Sequence, residues 1–301
     1  MRNPFEKAKT WWVRYSDYQW RTTKDGVLYI QPAPGATFTL YNAMEVMEQL
    51  VLDALNAGRK LTGKEPKEDS KPIIMDFVRK YGLLGMMTAL PTKPKFMDYE
   101  MVYLPKNRFI KEEQLHTEQF LLNFFPFEKP HLMKSGKSYA WSVSGDNRLM
   151  ALSATFSDDP LAVTLSFMPE YAERFDWIVT QLKDWMFLVT TCEFFYDSDY
   201  QLMANAEEQR TLLRQAMNAF SGNAPTYRIT LFDDAPALVW DFHSLMLAIT
   251  LVFSFMLTDA DNPIHMCKNC GKVFIAEKHD SLFCSAECKS QYRAQKKQEK
   301  K

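Results

Sequence analysis

HMCKNCGKVFIAEKHDSLFCSAECKSQYRAQKK, residues 265–297, holds four of the chain's five cysteines. They fall as Cys267-x2-Cys270 and Cys284-x3-Cys288, with 13 residues between the pairs. Thiolates two or three residues apart each supply one edge of a tetrahedron, and two such pairs complete the coordination sphere of zinc. The flanking residues agree with that reading. Gly271 sits where the chain must turn sharply after the second cysteine. Residues 273–275 begin a short hairpin and 282–283 return it. Ser285 then caps a helix whose first turn presents Cys288. Knuckle, hairpin and helix in this order make a treble-clef-like finger. The alternative, four free thiols that merely cluster, sits poorly with the scarcity of cysteine and with the paired spacing. His265 and His279 are alternative ligands, each less well placed than the cysteines. The fifth cysteine, Cys192, reads as a small core residue. Four thiolates leave no open position for water or substrate, so one structural Zn²⁺ is expected and no catalytic residue is assigned to it.

Outside this stretch the composition is that of a globular protein. Hydrophobic residues make up 47% of 301, enough for a core that does not depend on a metal. The opening MRNPFEKAKTWW has no apolar signal region. The most apolar run, 245–257, is 13 residues long, whereas a bilayer-spanning helix needs about 20. A buried helix is the expected use of that run. The chain is expected to be soluble and cytoplasmic, with no membrane partner. Clustered cysteines in such a chain point to metal rather than disulfides.

The pattern of elements predicts an α+β protein. A body over 1–260 precedes a four-cysteine zinc module with a basic helix over 264–301, and the turn-forming TDADNP at 258–263 separates them. Within the body, Asp25-Gly26 marks a hairpin. Asn42 and Glu45 have capping-box spacing at the start of a helix, and Gly58 reads as its stop. Residues 59–71 are polar and read as a loop or sub-boundary. Residues 111–125 read as a helix, and 138–168 as two or three strands. Long helices are expected over 170–190 and 207–220, and a hairpin over 226–242 feeds the apolar helix.

Charge is unevenly placed. Residues 264–301 carry nine Lys/Arg against four acids, a net of +5, so the rest of the chain carries −6. Lys289, Arg293, Lys296 and Lys297 follow the last ligand on one helix, at spacings that share a face. A basic helix projecting from a zinc module suits contact with DNA or RNA phosphates. Two other readings stand beside it. The module docks on a protein partner or on its own body, as in a scaffold protein; or the body is an enzyme with an unrecognised site.

MCKNCGKVF…FCSAEC followed by a basic helix resembles the C-terminal zinc finger of the CGNR family. Those bacterial proteins are regarded as stress-induced transcription regulators with an N-terminal domain called ABATE. FVRKYGLLG at 77–85, and a hairpin feeding an apolar helix before the finger, are also similar. The resemblance implies that Cys267, Cys270, Cys284 and Cys288 are zinc ligands and that the chain is a regulator. The Cys-Gly-Asn-Arg that names the family is replaced here by Cys288-Lys289-Ser290-Gln291.

Catalytic patterns are weak. Glu113-x-x-His116 has di-iron spacing without a second copy and reads as a solvated helix face. Asp241-x-His243 reads as structural, and His131 lacks a motif. Trp11, Trp12, Tyr15, Tyr18 and Trp20, with Arg14 and Arg21, form either a stacking platform for single strands or, preferentially, packed core. No phosphate-binding loop or nucleophile elbow is present. The leading expectation is therefore a non-enzymatic regulator.

Overall fold

The structure is a computed structural model. It describes residues 10–62, 67–90, 101–128, 132–135, 138–141, 166–196, 206–218, 220, 226–232, 235–242, 244–259, 261, 263–276 and 281–298. In chain order the strands β1 Trp11–Tyr15, β2 Tyr18–Thr22, β3 Leu28–Pro32 and β4 Phe38–Asn42 lead through a 3-10 turn, Ala43–Val46, into α1 Met47–Leu61. There follow α2 Lys67–Tyr81, α3 Met86–Ala89, β5 Met101–Tyr103, β6 Gln114–His116, α4 Thr117–Leu122, β7 Leu132–Ser135, β8 Ser138–Trp141 and β9 Glu173–Arg174. The chain continues with α5 Phe175–Tyr196, α6 Ala206–Asn218, β10 Thr226–Phe232, β11 Ala235–Asp241, α7 Leu245–Thr258, β12 Ile264–Met266, β13 Val273–Ile275 and α8 Ala286–Gln298. Among the described residues every strand pairing is antiparallel and the sheets have two or three strands, so the fold is mixed α+β.

Two compact units divide the chain. One comprises Met1–Met47, Ile74–Ile178 and Asn223–Ile249; the other comprises Glu48–Ile73, Val179–Gly222 and Thr250–Lys301.

The first unit is built around Trp12, whose side chain is fully buried. An indole N–H taken out of water needs an acceptor, and Trp12 Nε1 donates to the Leu83 carbonyl at 2.7 Å. That bond brings the Gly82–Gly85 backbone against the ring. Both glycines have positive φ, 90° and 70°. A Cβ at Gly82 would collide with the Val13 carbonyl oxygen, and one at Gly85 with the Trp12 ring. The FVRKYGLLG stretch therefore needs glycine twice for space as well as for backbone conformation. The buried Glu173 carboxylate secures the same loop from β9. It accepts from Leu84 N and Met86 N, each at 2.8 Å, and from the Tyr171 hydroxyl at 2.8 Å. Burial pushes the Glu173 carboxyl above its ordinary value, and the three donors restrain that rise.

Trp12, Tyr15 and Tyr18 are core residues, so among the ring-bearing residues at the N-terminal strands these three cannot form an open stacking platform. Residues 111–125 are not one helix. Gln114–His116 pairs with Met101–Tyr103, and only Thr117–Leu122 is helical. Glu113 and His116 consequently do not share a helix face. Asn42 does cap its helix start, accepting from Met44 N at 3.3 Å and donating to Glu45 at 3.2 Å, although the first turn is 3-10.

The second unit packs α1 against α5. Leu50, Val51, Ala54, Leu55 and Leu61 of α1 are buried, as are Leu182, Trp185, Met186 and Val189 of α5. Burial of each of these Val, Leu and Met side chains is worth roughly 1.5–3 kcal/mol. Gly58 is no helix stop: α1 continues to Leu61. A Cβ at Gly58 would collide with the Leu182 carbonyl oxygen, so this glycine lets the two backbones approach. Helix also takes both ends of the polar stretch 59–71, through Leu61 and from Lys67. Trp185 Nε1 donates to Thr250 Oγ1 at 3.2 Å, tying α5 to α7 within the unit. Among the described residues no helix is long and apolar enough to cross a membrane. Of the strands expected over 138–168, only β8 falls within the described residues.

Candidate metal centre

Backbone bonding shapes the knuckle before any ligand is considered. β12 and β13 pair Ile264 with Ile275 and Met266 with Val273. The turn between them closes through Cys267 N donating to Lys272 O at 2.9 Å and Gly271 N donating to Cys267 O at 2.8 Å. Gly271 takes φ 68°, as its position after the second cysteine predicted. Val273–Ile275 thus pairs back onto Ile264–Met266 rather than with 282–283 as expected, and Leu282 O instead accepts from Lys268 N of the knuckle at 3.0 Å. Ser285 then caps α8 by accepting from Cys288 N at 3.2 Å, which sets Cys288 in the first turn.

These constraints bring the Sγ atoms of Cys267, Cys270, Cys284 and Cys288 within 4.8 Å of one another. Cys270–Cys284 and Cys284–Cys288 are each 3.6 Å apart. A tetrahedron with zinc–sulfur bonds of ~2.3 Å has edges of about 3.8 Å, so the four thiols fit a tetrahedral thiolate site. Cys267 is buried and Cys270 exposed. This cluster can hold one metal ion.

The electrostatics suit a cation. Burial raises the Cys267 thiol, but backbone N–H groups of Cys270, Cys284 and Asn269 outweigh it and bring the thiol down to about 6. Burial and the neighbouring thiols push Cys284 up to about 12, and burial raises Cys270. Cys267 thus ionises readily while Cys270 and Cys284 resist. A divalent cation held among the thiols would offset that resistance.

Three side chains from α1 and α5 hold the hairpin, and all belong to the same unit. Asn56 accepts from Val273 N at 3.0 Å and donates to Val273 O at 3.1 Å, engaging the outer edge of β13 as a neighbouring strand would. Arg59 donates to the Cys270 carbonyl at 3.3 Å. Glu193 Oε1 accepts from Met266 N at 3.1 Å and meets His265 Nδ1 at 2.9 Å. His265 is therefore committed to Glu193 and is outside the cluster. Nothing in the sequence singled out Asn56, Arg59 or Glu193, because each is a lone polar residue on a helix remote in sequence from the cysteines.

α8 buries none of its residues. Lys289, Arg293, Lys296 and Lys297 are exposed. The inner side of the helix is held by Tyr292 against Phe283, 5.3 Å between centroids, and by Gln291, whose Oε1 accepts from Asn269 Nδ2 at 2.9 Å. Cys192 lies apart from the site and is half-buried rather than a core residue, with desolvation pushing its thiol up to about 11. His131, His243 and His279 lie outside the described residues. Compared with known proteins, the chain matches no family model, no curated protein and no solved structure.

Proposed function

We propose that this chain is a regulator that contacts nucleic acid through its C-terminal module, with one zinc ion as the module's structural clasp. The observation that carries the reading is the placement of Lys289, Arg293, Lys296 and Lys297, all exposed, on a helix that starts at the ligand Cys288. Cations on a rigid support displace counterions from phosphates at little ordering cost. Zinc is preferred because four thiolates at tetrahedral spacing select it over harder cations. The resemblance to the CGNR finger supports a regulatory role, and a reduced thiol cluster suits a cytoplasmic setting. The metal serves structure rather than catalysis, since four thiolates complete its coordination.

The test is metal analysis followed by binding to labelled DNA at low salt. One zinc per chain is expected, with binding that weakens steeply with salt and falls in a Lys296→Glu, Lys297→Glu double variant. Zinc-loaded protein that ignores DNA and RNA at low salt would overturn the reading in favour of docking on a protein.

A further inference from the structure

The cations of α8 lie on one side only. With about 100° between successive residues, Tyr292 and Gln291 fall within about 60° of Cys288 and form the held face. Lys296, Lys289, Arg293 and Lys297 follow at about 80°, 100°, 140° and 180° from Cys288, a single stripe about 100° wide. The remaining flank carries Glu287, Ser290, Ala294 and Gln298, with no cation.

We propose that this stripe lies along the phosphates of one strand of duplex DNA and reads no bases; the inference rests on the function proposed above. A helix seated in a groove meets phosphates of both strands and aims polar side chains at base edges between them. Here one flank offers cations and the other offers the Glu287 carboxylate, which repels a second strand. Gln291, a side chain of the type that reads adenine, is engaged with Asn269. Single strands are held by bases stacked on open rings, but the aromatic ring of α8, Tyr292, packs on Phe283. From Lys289 to Lys297 the stripe is ~12 Å long. Successive phosphates of one B-DNA strand rise ~3.4 Å along the axis and also wind around it, so a stripe that follows the strand passes about two or three phosphates, within the capacity of the four cations.

The experiment measures affinity of the zinc-loaded full chain for three duplexes of about 24 bp and unrelated sequence across a salt series, with single-stranded DNA and double-stranded RNA of the same length alongside. Affinities for the three duplexes are expected to agree within about threefold, far below the discrimination of a base-reading site. The slope of log K against log salt should be about −2 to −3, and Arg293→Gln or Lys297→Gln should each reduce its magnitude, by up to about 0.9. Both positions are exposed, and retained zinc shows that the variants are folded. More than tenfold discrimination among the duplexes, tighter binding to single strands or to RNA, or a slope unchanged by the substitutions overturns the inference. Sequence-selective binding that is still lost on Lys296→Glu, Lys297→Glu leaves the proposed function standing and removes only this inference. No binding at low salt removes both.

Discussion

The side-chain amide of Asn56 and the backbone of Val273, 217 residues apart, exchange two hydrogen bonds of 3.0 Å and 3.1 Å. The pair fastens the metal-site hairpin to α1, and Glu193 does the same for β12 from α5. Asn56→Ala would leave both Val273 groups without a partner, and unmade bonds of this kind cost about 1–3 kcal/mol each. Thermal unfolding of Asn56→Ala should reveal a loss of roughly 2 kcal/mol. Zinc competition should reveal an affinity about tenfold weaker or more. Unchanged zinc affinity would show that the hairpin is ordered by the metal alone.

Metal removal should be felt beyond the cysteines, because the hairpin is bonded to α1 and α5 inside one compact unit. Chelation or Cys284→Ser is expected to lower hydrogen-exchange protection around Asn56 and Glu193 as well as in α8. A loss confined to 264–298 would show that these contacts do not transmit order.

Zinc uptake should release protons. At neutral pH Cys267, at about 6, is largely ionised, while Cys270 and Cys284, both raised, are protonated. Calorimetry at pH 7 in buffers of different ionisation heat should therefore find at least the two protons of Cys270 and Cys284 released per zinc. The sign follows: affinity falls as pH falls, because protons compete for the thiolates. Uptake without proton release would contradict this arrangement of thiols.

Gly58→Ala sets two effects against each other. Alanine in a helix interior gains about 1 kcal/mol over glycine. The new Cβ meets the Leu182 carbonyl oxygen, and relieving such overpacking costs typically 1–3 kcal/mol. Backbone cannot swing aside as a side-chain tip can, so the clash should win. Urea denaturation is expected to give a protein less stable by up to about 2 kcal/mol; a more stable variant would mean that α1 and α5 separate easily.

Glu173→Gln keeps the shape of the buried carboxyl but turns one acceptor into a donor facing the donors Leu84 N–H, Met86 N–H or Tyr171 O–H. A loss of about 2–3 kcal/mol is expected, against about 1–2 kcal/mol for Tyr171→Phe, which removes one donor to Glu173 and the acceptor of Met87 N. Equal losses would indicate that the loop is held by packing on Trp12 instead.

The cysteine cluster was legible because its determinants are local. Four cysteines, a glycine that must turn, and a serine cap all lie between residues 267 and 288, close enough for spacing alone to impose geometry. Hairpins closed by turn residues and long apolar helices were legible for the same reason. Residues 111–125 were not: their apolar pattern fits a short helix or strand, and the pairing of Gln114–His116 with Met101–Tyr103 decided the matter. Gly58 was ambiguous in another way, since a stop and a close helix crossing ask for the same residue. The sequence by itself determined the four-cysteine cluster, the cap and the cationic helix. Only the tertiary structure decided what supports them, because Asn56, Arg59 and Glu193 acquire their roles when folding brings distant helices to the hairpin's open backbone groups.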